Sequence, residues 1–134
     1  MSTNIETHQY GLTRTVESGY DETIARLREL LKEEGFGVLT EIDVKRTLKE
    51  KIDKDVEPYV ILGACNPRLA SRSLELEPDI GLLLPCNVIV STRGGKTHVG
   101  AVNPQSMVDF TANPALAGVA HEADERLRRV IERL

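Results

Sequence analysis

The sequence predicts an α+β domain, a two-layer sandwich in which a mainly antiparallel sheet carries helices packed on one face. Three observations point there. Apolar, strand-like runs alternate with helical stretches, and the last two runs are joined by a Gly94-Gly95 hairpin turn. The helical stretches are apolar on one side only, so each has one face to bury against a sheet. No repeat, low-complexity tract or linker divides the 134 residues. A chain of this length buries about two thirds of the surface its unfolded form exposes, enough for one core. Residues 12–134 are expected to form that single domain, and residues 1–11 a disordered or extended polar tail.

Each element has its own reason. Leu12–Val16 alternates apolar and polar residues with β-branched side chains, as a half-buried strand does. Ser18 with Asp21 resembles a capping box, and Ile24, Leu27, Leu30 and Leu31 then share a helical face that Gly35 terminates. Phe36–Ile42 reads as a second strand. Thr40 and Asp43 offer a helix start, followed by Val44, Leu48 and Ile52 at four-residue spacing on a charged helix. Tyr59–Cys65 is nearly continuous apolar sequence, the mark of a strand covered on both faces. Asn66-Pro67 is an N-cap followed by proline at the first helical position, and the helix runs to about Leu76 before Pro78. Ile80–Leu84 has no clear period. Asn87–Thr92 and Thr97–Val102 form the hairpin, because both turn positions favour positive φ. Asn103-Pro104 and Asn113-Pro114 repeat the helix-start signature, the first for a short turn and the second for a long helix whose stripe includes Leu116, Val119, Ala120, Ala123, Leu127, Val130 and Ile131.

Composition excludes several function classes. A formal net charge of −4 with interspersed signs disfavours nucleic-acid and anionic-membrane surfaces, which select a basic excess. No apolar run approaches the roughly 20 residues a bilayer requires. Two cysteines without an export signal read as reduced thiols, so a cytoplasmic location is expected.

The motifs Gly63-Ala64-Cys65-Asn66-Pro67, Leu83-Leu84-Pro85-Cys86-Asn87-Val88, the Gly94-Gly95 turn and Asn103-Pro104 stand in a distinctive order. With them the chain resembles the uncharacterised family called domain of unknown function 302, over roughly Leu12 to Leu134. The resemblance implies a compact α+β domain, often dimeric, with no established reaction.

The hairpin register places Cys86 near Val102 and Asn103. If the Tyr59–Cys65 strand runs parallel to Thr97–Val102, then Cys65, Asn66, Cys86, Asn87 and Asn103 gather at one end of the sheet. Helix starts at Asn66 and Asn103 would turn free N–H groups there, and Arg68 and Arg72 would add charge, a geometry suited to an anion. The expected ligand-binding residues are therefore Cys65, Asn66, Arg68, Cys86, Asn87 and Asn103. Plain capping and packing explain the same residues. No catalytic residues and no cofactor are expected: there is no Gly-x-Ser-x-Gly elbow, no phosphate loop and no Cys-x-x-Cys pair. The histidines, His8, His98 and His121, are too dispersed for a metal site. The first expectation is a non-enzymatic, homodimeric binding module for a small, anionic ligand, with the apolar run Ile80–Leu84 as a candidate dimer surface. Two alternatives stand beside it: a thiol-based redox enzyme or sensor using Cys65 and Cys86, and a pure protein-interaction module.

Overall fold

A computed structural model describes residues 5–134. The chain forms β1 (Glu6–Thr7), β2 (Gly11–Val16), α1 (Tyr20–Glu33), β3 (Gly37–Asp43), α2 (Val44–Ile52) and β4 (Tyr59–Cys65). It continues with α3 (Pro67–Leu76), a 3-10 segment (Pro78–Leu83), β5 (Cys86–Arg93), β6 (Lys96–Val102), α4 (Gln105–Thr111), a second 3-10 turn (Pro114–Leu116) and α5 (Ala117–Glu132). The strands make one six-stranded sheet in the order β1-β2-β6-β5-β4-β3. Every neighbouring pair is antiparallel. The α+β sandwich expected from the sequence is the observed architecture.

Alternation divides the sheet into two faces. Leu12 and Val16 of β2, Val60 and Leu62 of β4, Val88 and Val90 of β5 and Val99 of β6 point to the helical layer and are buried. Against them lie Leu27, Leu30 and Leu31 of α1 and Leu127, Val130 and Ile131 of α5, completing one core. Fully burying such a side chain contributes roughly 1.5–3 kcal/mol, so this shared layer is what fixes the sheet's register.

Local signals explain most boundaries. Gly35, at φ +83°, closes α1, and the Phe36 N–H donates to the Leu31 carbonyl at 2.9 Å. The Asp43 side chain accepts from the Arg46 N–H and caps α2. Gly94 and Gly95 both have positive φ, as the tight hairpin requires.

The structure adds detail at four places. Ser18 caps nothing: α1 opens one residue later, on Gly19, which has no side chain to offer, and the Thr23 N–H donates to the Gly19 carbonyl at 2.9 Å. Within the segment expected to be disordered or extended, Glu6 and Thr7 are extended and pair with Thr13 and Leu12; residues 1–4 lie outside the described residues. Over the Ile80–Leu84 run, Pro78 opens a 3-10 segment that buries Ile80 and leaves Gly81, Leu82 and Leu83 exposed. Phe36 stands just ahead of β3 and is buried in the core.

Candidate functional site

The sheet gathers one set of chain ends. β4 and β6 both pair antiparallel with β5, so they run in the same direction and finish at the margin where β5 begins. Ala64 stands opposite Cys86, which places Cys65 one residue beyond that pair. Val102 ends β6 at the same margin and leads into Asn103.

A cavity of about 360 Å³ opens there, between the sheet's end and the helices. Ala64, Cys65 and Cys86 supply the sheet wall; Asn66, Leu69 and Ser73 come from the start and inner face of α3. Met107 of α4 and Val119, Ala120 and Ala123 of α5 close the far side. Leu39, 68% exposed, and Leu74, 43% exposed, also line it, so its mouth lies between β3 and α3.

No side chain lining the cavity is charged. Its hydrogen-bonding side chains are already committed. Asn66 Oδ1 accepts from the Leu69 N–H at 3.3 Å, capping α3, and Asn66 Nδ2 donates to the Glu34 carbonyl at 3.3 Å. The Ser73 hydroxyl donates to the Leu69 carbonyl at 2.8 Å. What remains chemically free is sulfur. Both cysteines are free thiols, Cys65 half-buried and Cys86 buried. Burial, reinforced by the charge of Cys65, pushes the Cys86 thiol up to about 11, so it stays protonated at neutral pH and is a poor nucleophile.

Three of the six expected binding residues line the cavity: Cys65, Asn66 and Cys86. The other three do not. Arg68 follows the proline that opens α3 and is exposed. Asn87 is exposed between buried Cys86 and Val88, because each step along a strand reverses the face. Asn103 is buried and already bonded: its Nδ2 donates to the His8 carbonyl at 3.0 Å, and its Oδ1 accepts from the Gln105 N–H at 3.1 Å. Arg72 pairs with Glu122 at 3.4 Å instead of facing the cavity. The basic charge expected for an anion is therefore absent from the lining.

The family model described as domain of unknown function DUF302 matches residues 12–134. The chain belongs to the DUF302 family. It is similar to the crystal structure of an uncharacterized conserved DUF302 protein from Bacillus stearothermophilus, at 38% identity and a TM-score of 0.88. That match covers 94% of this chain and 98% of the other. No curated protein matches.

In this DUF302 chain the helical side of the cavity was invisible to motif reasoning. Met107, Val119, Ala120 and Ala123 sit on ordinary apolar stripes, and a stripe facing a void has the same periodicity as one facing a core. The support behind Asn66 was equally hidden. Glu34 ends α1, its carbonyl accepts from both Asn66 and Arg126, and its carboxylate accepts two bonds from Arg129 at 2.9 and 3.0 Å. Those bonds hold the Glu34 carboxyl below the usual range, the Arg129 hydrogen bonds being the main cause. Gly35 lies so close that an added Cβ would stand 3.1 Å from Asn66 Nδ2. Among the described residues no group of three His, Cys, Asp or Glu could hold a metal ion, and no helix is long and apolar enough to cross a membrane.

Proposed function

We propose that this protein is a homodimeric binding module that takes a small, predominantly apolar molecule into the cavity at the Cys65–Asn66 end of the sheet. One observation carries the reading: a cavity of about 360 Å³ whose lining is uncharged and whose amide and hydroxyl groups are already bonded. That volume falls within the few hundred Å³ typical of small-molecule sites. An anion would give up its hydration here for no compensating charge, so the ligand chemistry shifts from anionic to apolar. A thermal-shift comparison of matched neutral and carboxylate-bearing apolar compounds tests this, since a ligand preferring the folded state must raise its midpoint. The neutral member should stabilise more. Equal or greater stabilisation by the carboxylate contradicts the reading.

The dimer rests on the sheet's other face. Ile42, Ile61 and Ile89 stand in register across β3, β4 and β5, followed by Gly100 and Thr13. The row of Tyr59, Ser91, His98 and Thr15 runs beside it. From β2 to β6 neither row contains a charge; Glu6 of β1 ends the first row, and Arg93 and Lys96 pair just beyond the second. An antiparallel sheet facing water is ordinarily polar on that side, whereas an isoleucine-centred face whose charges of both signs stand at its margins can meet its own copy across a two-fold axis without like charges opposed at its centre. Light scattering on Ile89→Glu should report a monomer where the unmodified chain is a dimer. A variant that stays dimeric places the interface elsewhere.

A further inference from the structure

Three sulfur-bearing residues from three different elements line the cavity: Cys65 at the end of β4, Cys86 at the start of β5 and Met107 in α4. Cys86 and Met107 belong to one buried cluster with Ile80 and Leu116. Cys65 is one residue beyond the Ala64–Cys86 pair and half-buried at the rim. The fold thus collects soft donors where hard ones are missing, since the lining offers no carboxylate and no imidazole.

We propose that this sulfur wall is a binding site for a soft monovalent d10 cation of the copper(I) class, with Cys86 and Met107 as its two ligands. Thiolate and thioether donors select such ions, which accept two or three ligands. Zinc would need a tetrahedral set of about four from sulfur, nitrogen or oxygen donors, which this wall cannot complete. Charge points the same way. One thiolate and one thioether around a monovalent cation sum to zero, which an uncharged apolar cavity accommodates far better than a net charge. Binding is a ligand exchange: the Cys86 thiol gives up its proton to solvent, its sulfur bonds the ion, and no electron is transferred. The site goes beyond the apolar-ligand reading and shares only its cavity, so either can fail while the other holds.

The test is anaerobic titration of the full chain with copper(I), kept reduced by ascorbate and delivered from a chromophoric chelator whose colour reports the free complex. One ion per chain is expected, with an X-ray absorption spectrum showing only sulfur in the first shell. Cys86→Ala should abolish competition with the chelator, and Met107→Leu, which nearly conserves volume, should weaken it at least tenfold. Circular dichroism and the thermal midpoint of each metal-free variant establish that it folds. Unchanged affinity in a folded Met107→Leu or Cys86→Ala variant overturns the assignment. So does a first shell containing nitrogen or oxygen, or a failure of the unmodified chain to compete.

Discussion

Gly63 offers a sharp quantitative test of how the cavity's sheet wall is built. It precedes Ala64 and Cys65, and a Cβ placed on it would overlap Thr40 Oγ1 outright and stand 2.8 Å from Pro85 Cγ. Carbon atoms do not approach that closely, so Gly63→Ala must displace something. Thr40 is β-branched on a strand, so its χ1 is restricted and relieving the overlap means turning it. The Pro85 ring cannot rotate away at all. Overpacking of this kind costs about 1–3 kcal/mol, which in urea, at a slope of roughly 1–3 kcal/mol/M, moves the midpoint by on the order of 1 M. The two neighbours separate in a double-mutant cycle. Thr40→Ala removes the worse overlap but leaves Pro85, so the double variant should recover part of the loss, with a coupling of at least about 0.5 kcal/mol. Equilibrium unfolding of the four proteins measures it. A Gly63→Ala protein within about 0.5 kcal/mol of the parent, or strictly additive changes, would show that β4 is not clamped against β3 and Pro85 as described.

Further consequences concern charge and the chain end. His98 is held below its ordinary value of 6.5, by burial first and by Arg93 second, so the unfolded chain takes up the proton sooner. Its contribution is complete above pH 6.5 and is lost as the pH falls toward its lower folded value; His98→Asn should flatten that part of the stability profile. Glu34 has the opposite charge but the same direction of pH dependence. Its carboxyl is depressed below 4.5, so its contribution is present above that value and disappears as acid protonates it, and Glu34→Gln should remove this slope in acid unfolding curves. Arg14 Nη1 donates to the carbonyls of Ile131, Glu132 and Leu134 at 2.9 to 3.0 Å, tying the end of α5 to β2. Arg14→Lys cannot reproduce that reach and should cost roughly 1–2 kcal/mol in denaturant unfolding, with faster amide exchange confined to the last turn.

The fold was readable because its main signals are local. The Gly94-Gly95 turn set the hairpin, Gly35 ended α1, and Asn66-Pro67 began α3, each through backbone geometry that few other residues satisfy. The margin that collects Cys65, Cys86 and Asn103 followed from strand direction alone. What lay beyond reach was the third dimension of each side chain. Alternation sends Asn87 out to solvent, and the buried Asn103 amide is consumed by His8 and Gln105. Arg68 is carried past Pro67 onto the outer side of α3. The void itself depends on how closely α3, α4 and α5 approach the sheet, which no short motif encodes. Asn66 was found for its capping role, whereas Glu34, 32 residues away and bonded to it, gave no local sign.

Saturable binding of a neutral naphthylamine fluorophore to the unmodified chain and to Ala120→Leu tests the central proposal most directly. Ala120 is buried on α5 and lines the cavity, so the larger side chain occupies the space a ligand would need. One equivalent should bind the unmodified protein, and affinity should fall at least tenfold in the folded variant. No saturable binding, or equal binding by both proteins, would contradict the proposal that this cavity is a site for apolar molecules.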